Sequence, residues 1–255
     1  LEAVSILGEY GESAMPVSGG TDLIPNMKHR LFTPEHLVAL KGISELRGIC
    51  EENGDLVIGA AESLTAISLH PSVRLRFMAL AEAAGSVAGP QLRNSGTLGG
   101  NICLDTRCTY YNQSQFWRQA LGFCLKKDGD TCHVTKVGKK CVAAHSADSP
   151  PVLMTLGAQV ELVGPEGARS VPIEDFFVSD GIANTRRKLG EVLTGVRIPL
   201  PELHLRTSYV KLRQRKAIDF PLLTVAVAAE VDPENRLHQL RGVVTGLGAR
   251  PRQLT

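Results

Sequence analysis

Val17-Ser18-Gly19-Gly20-Thr21-Asp22-Leu23 and Asn94-Ser95-Gly96-Thr97-Leu98-Gly99-Gly100-Asn101-Ile102 are the two stretches on which the reading of this chain turns. In the first, two glycines follow the short run Met15-Pro16-Val17 and precede a hydroxyl and an acid. Glycine lets a backbone enter positive φ and approach a bulky anion, and successive N–H groups then line a concave site for its oxygens. Ser18 and Thr21 add hydroxyl donors beside them. The same residues also suit a plainer role, a strand-ending turn with Thr21 or Asp22 capping a helix. The second stretch repeats this chemistry. Neither matches the Gly-x-Gly-x-x-Gly that opens a Rossmann helix, nor a P-loop closed by Gly-Lys-Ser/Thr, so those folds are disfavoured. Two such loops suggest a pyrophosphate held between separate backbone segments. Residue types alone leave that reading and the turn reading open.

Around the loops the chain reads as α+β. Val4 and Leu7 place an opening helix, with Gly8 and Gly11 marking its end. Asp22 to Arg30 has helical texture interrupted by Pro25, 36–40 reads as a strand, and 43–46 as one helical turn. Asn53-Gly54, between Ile49-Cys50 and Leu56-Val57-Ile58, predicts a two-residue hairpin. Helices are expected over 64–69, 73–87 and 151–156. Strands are expected over 158–163, 169–172, 191–198, 207–213, 222–231 and 237–246. Pro199 to Pro201 is the candidate boundary, dividing a first domain over 1–199 from the start of a second over 200–255.

From 104 to 144 this texture stops, and the segment is polar, aromatic and cysteine-bearing. A stretch of that length without regular structure reads as a functional insertion. Five of the six cysteines fall between 103 and 141, and such clustering favours metal over disulfides. Cys108, Cys124, Cys132 and Cys141 suit tetrahedral zinc or a [4Fe–4S] cluster. Close Cys-x₂₋₄-Cys pairs are absent, which tilts away from zinc, but ferredoxin-like runs are absent too, so spacing names neither. Lys126, Lys127, Lys136, Lys139 and Lys140 are positioned to offset a cluster's charge or dock an acidic carrier, or simply to solvate a loop. Cys50 and Cys103 are expected as small buried hydrophobes.

The formal charge of +2 gives no case for nucleic acid or an acidic membrane surface as partner. No apolar run nears the roughly 18 residues that span a bilayer, and no secretory pattern opens the chain. The expected compartment is the cytoplasm. No Ser/His/Asp or paired-carboxylate constellation marks a catalytic residue.

The two glycine stretches resemble the FAD-pyrophosphate loops of the molybdenum hydroxylase flavoprotein subunits, a family that includes the medium subunit of carbon monoxide dehydrogenase. Ser146-Ala147-Asp148-Ser149-Pro150-Pro151, Asp175-Phe176-Phe177, Glu191-Val192-Leu193 through Pro199, and Tyr209-Val210-Lys211-Leu212-Arg213 with Asp219 extend the resemblance over almost the whole chain. It implies a two-subdomain FAD-binding domain of the vanillyl-alcohol-oxidase (PCMH) type, followed by a partial α+β C-terminal domain. The implied flavin contacts are Val17, Ser18, Gly19, Gly20, Thr21, Asp22, Leu23, Thr97, Gly99, Gly100, Asn101, Asp148, Leu193 and Lys211. Glycine amides and Thr97 would hold pyrophosphate, Asp148 would accept from the flavin half, and Lys211 would offset charge on the reduced ring.

Usual members of the family lack the cysteine insertion. A four-cysteine loop opened by Leu104-Asp105-Thr106-Arg107-Cys108 resembles the 4-hydroxybenzoyl-CoA reductase branch, whose insertion binds a [4Fe–4S] cluster. That resemblance implies Cys108, Cys124, Cys132 and Cys141 as ligands, ferredoxin as electron donor, and reductive dehydroxylation of 4-hydroxybenzoyl-CoA to benzoyl-CoA. It also implies a large molybdenum-cofactor subunit and a small [2Fe–2S] subunit, in a dimer of heterotrimers. The rivals are another molybdenum hydroxylase with a quinone or NAD partner, and a zinc-stapled nucleotide-binding scaffold. The family fold continues beyond Thr255, so a fragment of a longer subunit is expected.

Overall fold

The computed structural model describes residues 1–135 and 139–254. Helix α1 (Glu2–Tyr10) buries Val4 and Leu7 and stops at Gly11, whose φ of 52° suits glycine. Gly8 lies inside this helix rather than at its end. Strand β1 (Ala14–Val17) pairs in parallel with β2 (His36–Ala39), and between them runs α2 (Leu23–Lys28). Pro25 does not interrupt α2. It is the third helical residue, where a backbone N–H has no intrahelical partner to lose. The Asn53-Gly54 hairpin joins β3 (Ile49–Glu52) to β4 (Asp55–Gly59), with φ of 51° and 85° at the two turn residues.

The helical layer follows: α3 (Leu64–Leu69), α4 (Pro71–Arg76), α5 (Met78–Ser86), α6 (Pro90–Ser95) and α7 (Leu98–Ile102). Where one helix is expected over 73–87, the chain forms two. Phe77 leaves helical geometry (φ −136°, ψ 57°) and its ring is fully buried, so core packing outweighs helical continuity there. The segment 104–144 carries its own helix α8 (Gln115–Leu121), capped by Ser114 and ended by Gly122 in the left-handed region. Its aromatic content masks a capped helical turn.

Beyond it come α9 (Ser149–Thr155), the hairpin of β5 (Gln159–Gly164) and β6 (Gly167–Pro172), α10 (Ile173–Phe176) and β7 (Val192–Pro199). Strands β3 to β7 form one five-stranded antiparallel sheet in the order β3-β4-β7-β5-β6. Strands β8 (His204–Leu212), β9 (Leu223–Val231), β10 (Leu237–Thr245) and β11 (Arg252–Leu254) form a second, antiparallel sheet. One hydrophobic core unites Leu56, Ile58 and Val196 of the first sheet, Leu80 and Leu153 of the helices, and Ala226 and Val243 of the second sheet. Each fully buried leucine or isoleucine there contributes about 1.5–3 kcal/mol. Among the described residues no helix is long and apolar enough to cross a membrane.

Candidate functional site

The two glycine loops meet. A Cβ placed on Gly19 would lie 2.3 Å from the Ser95 carbonyl oxygen and 2.8 Å from Gly96 Cα, so only glycine permits this approach. Ser95 Oγ donates to the Gly19 carbonyl at 3.1 Å, and Thr97 Oγ1 donates to Ser18 Oγ at 3.0 Å. Together they border a cavity of about 770 Å³, the size of a cofactor site. Thirteen of the fourteen expected contacts line it, from Val17 through Leu23 and Thr97 to Asp148 and Leu193. Lys211 does not line it.

The loops divide the work unequally. The amides of Ser18, Gly19, Gly20, Thr21 and Asp22 donate to no protein acceptor among the described residues. Five successive free N–H groups beside a cavity form a cradle suited to an anion. The second loop, by contrast, spends its amides on the fold. Gly99 N–H goes to Ala60 at 2.9 Å, and Gly100 N–H goes to the capping Thr97 hydroxyl at 3.2 Å. Gly99 is present for closeness, since a Cβ there would sit 2.9 Å from Ala60 Cβ. Asn101 acts on the protein as well. Its Oδ1 accepts from the Ser149 amide at 3.1 Å and from the Ser149 hydroxyl, tying α7 to the start of α9.

Asp148 lies just ahead of α9 and is buried. Its oxygens accept from Tyr209 Oη at 2.5 Å and Lys211 Nζ at 2.9 Å, both projecting from β8. Burial pushes the Asp148 carboxyl up, while the Lys211 charge and the Tyr209 hydrogen bond pull against it. Lys211 therefore reaches the cavity through Asp148, with a second bond to the Ser86 carbonyl at 3.3 Å. Leu193 is buried on β7 and presents an apolar wall.

Sequence reasoning missed several cavity residues. Ser146 Oγ and Asn184 Nδ2 are buried there without partners among the described residues. Arg107 also borders the cavity, pairing with Asp22 and lying 4.7 Å from the centre of the Phe220 ring. Desolvation lowers its pKa to about 10. Ser146 stood in a recognised stretch, and Arg107 was visible only as part of the insertion's opening. Asn184 carried no signal in its neighbours. Beside Ser146, His145 is buried with neither ring nitrogen bonded, and burial brings its pKa down to about 3.

The insertion is closed at its neck by paired 2.8 Å hydrogen bonds between Arg107 and Ala144. Tyr111, Cys124 and Leu31 form a small core that seats it on the chain after α2. Arg118, 1% exposed, reinforces this by donating to the His29 and Arg30 carbonyls. Lys126 is no surface lysine, as its side chain is enclosed and pairs with Asp105 at 2.6 Å. Lys127, half-exposed, pairs with Asp128 at 3.6 Å, Lys139 and Lys140 are exposed, and Lys136 lies outside the described residues.

All four insertion cysteines are free thiols and line one small cavity of about 20 Å³. That volume holds little more than one water, so a cluster requires the thiols to move apart. Among the described residues no three His, Cys, Asp or Glu side chains converge as ligands of a single metal ion. The donor set still suits iron and sulfide. Burial raises the Cys141 thiol, opposed first by the Ala143 amide and then by the Lys126 charge. Burial also acts upward on Cys132, but hydrogen bonding with Thr135, Val134 and Val142 leaves it below its ordinary value. Cys50 and Cys103 are exposed rather than buried. Cys50 sits on the edge strand β3, and Cys103 faces the large cavity.

Residues 1–201 match the family described as the FAD binding domain in molybdopterin dehydrogenase. The chain is 35% identical over 226 residues to the carbon monoxide dehydrogenase medium chain of Afipia carboxidovorans, covering 89% of this chain and 64% of that one. It is 32% identical to the aldehyde oxidoreductase FAD-binding subunit PaoB of Escherichia coli, covering 87% and 72%. Its fold superposes on Cu,Mo-CO dehydrogenase in its cyanide-inactivated form with a TM-score of 0.77 at 31% identity, covering 98% and 73%. Quinoline 2-oxidoreductase of Pseudomonas putida 86 gives 0.75 at 26%, covering 99% and 73%. The chain thus spans about two thirds of the length of the first of these relatives.

Proposed function

This chain belongs to the family of FAD-binding domains of molybdopterin dehydrogenases, and we propose that it is the electron-relay flavoprotein subunit of a 4-hydroxybenzoyl-CoA reductase. In this reading it passes electrons from reduced ferredoxin toward a molybdenum site in a large partner subunit. A small [2Fe–2S] subunit completes a heterotrimer that pairs into a dimer, in the cytoplasm. Cys108, Cys124, Cys132 and Cys141 hold a [4Fe–4S] cluster. The observation that carries the proposal is the gathering of these four widely spaced thiols at one cavity, on a segment whose neck also borders the flavin cavity. The 1–199 and 200–255 division is kept as a functional one, although the hydrophobic core runs across it.

Bound in their sites, FAD supplies a centre that takes electrons singly or in pairs, and the cluster supplies a one-electron centre. The chain's own residues do the holding. The Ser18–Asp22 amides take the pyrophosphate oxygens, and the close contact of Gly19 with Ser95 and Gly96 keeps the cradle narrow. Leu193 and its neighbours keep water from one side of the cavity. Tyr209 and Lys211 bond to the buried Asp148 carboxyl and fix its orientation at the cavity wall, opposing the upward push of burial. Lys211, which does not line the cavity, acts on the flavin only through Asp148 in this reading. In this reading the chain's task is relay, and the chemistry on the aromatic substrate belongs to the partner subunit.

The test is anaerobic reduction followed at the flavin band. Reduced ferredoxin bleaches the flavin of the purified protein, whereas NADH and a quinol do not. Bleaching by NADH or quinol in place of ferredoxin would identify a different molybdenum hydroxylase.

A further inference from the structure

Arg107 belongs to neither glycine loop, yet it reaches the anion cradle. Its backbone is clamped to Ala144 at the neck of the insertion. Its side chain extends the other way, where Nη2 donates to Asp22 Oδ1 and the guanidinium lies against the Phe220 ring. Nε is buried without a partner among the described residues. Asp22 stands within the row of free amides, and its second oxygen accepts from Asn26 Nδ2 at 3.1 Å. Without a counter-charge, that carboxylate would confront any anion held on the amides, and like charges a few ångströms apart repel strongly at a partly buried site. Among the described residues Asp22 has no other ion-pair partner.

We propose that Arg107 is the charge-balancing residue of the cradle: it neutralises Asp22 so that the Ser18–Asp22 amides can accept a pyrophosphate. The insertion then supplies part of the flavin site that the two glycine loops lack. It does so from the residue preceding Cys108, so an event that displaces the cysteine loop also unmasks the carboxylate. The inference rests on the flavin reading of the large cavity.

The test is FAD titration of the full chain, stripped of flavin and followed by quenching of flavin fluorescence, with R107Q, D22N and the double variant D22N/R107Q. R107Q binds FAD about tenfold more weakly, equivalent to about 1.4 kcal/mol. D22N/R107Q returns to within about threefold of D22N, because removing the carboxylate removes the need for the arginine. Added salt narrows the gap between R107Q and the unaltered chain. Thermal melting of R107Q without flavin, within a few degrees of the unaltered chain, verifies that the fold is intact. An unchanged affinity in R107Q overturns the proposal. So does a double variant as weak as R107Q, which would place Arg107 on the phosphate itself or in a purely structural role. Absence of FAD binding by the unaltered chain would sink the flavin reading, and this inference with it, a result distinct from either of those.

Discussion

At the residue scale, the buried Asp148 carboxyl takes hydrogen bonds from Tyr209 and Lys211 of β8. Asp148 and Lys211 stand out in the sequence by family resemblance, but nothing in either stretch says that they bond to each other. That pairing depends on the fold bringing the Lys211 side chain of β8 to the residue ahead of α9, which is a tertiary fact. Arg107 illustrates the same limit, since its partner Asp22 lies 85 positions away. His145 gives a pH dependence with a definite sign. Burial penalises the charged ring and brings its pKa in the folded chain down to about 3 from the ordinary 6.5 of histidine. The unfolded chain therefore binds a proton below pH 6.5 that the folded chain refuses down to about pH 3. Its contribution to stability is fully present above pH 6.5 and is lost as pH falls, at about 1.4 kcal/mol per pH unit. Urea denaturation at pH 7 and pH 5.5 measures this. His145→Phe, which keeps an aromatic ring against Phe177, is expected to show a smaller loss between the two pH values by on the order of 1 kcal/mol. Equal losses in both proteins would remove His145 from the account.

At the element scale, the sequence was most readable where local chemistry decides. Asn53-Gly54 specifies its turn, and the alternating burial of β5 follows from alternating apolar residues. It was least readable where tertiary packing overrides propensity. Phe77 breaks a helix to fill the core, and α8 hides within an aromatic, cysteine-bearing segment. The glycine loops lie between these extremes. Their glycines signalled a close approach, but only the fold shows that one loop offers amides and the other offers proximity. Gly19→Ala tests that division. A methyl group 2.3 Å from the Ser95 oxygen must push the loops apart and misalign the amides. An overpacking cost of about 1–3 kcal/mol translates into FAD binding about tenfold to a hundredfold weaker by fluorescence titration. Gly42→Ala, with nothing within 4 Å of the added carbon, serves as the neutral control. Equal FAD affinity in the two variants would show that loop contact is immaterial.

At the scale of the whole molecule, an α+β scaffold of three sheets among the described residues builds one large cavity and carries a small thiol-lined one on an inserted segment. The scaffold was legible because resemblance covered most of the chain. The seating of the insertion was not, since Arg118, Lys126 and Tyr111 gave no sign in sequence of the carbonyls, carboxylate and apolar partners that hold them. The central claim is that both cavities are filled, one by flavin and the other by iron and sulfide. Flavin, iron, zinc and acid-labile sulfide analysis of anaerobically purified protein tests it most directly, alongside Cys124→Ser. The account predicts one FAD with about four irons and four sulfides per chain, and a Cys124→Ser protein that loses the iron while keeping most of its FAD. A well-folded protein containing zinc without iron, or neither FAD nor iron, would contradict it.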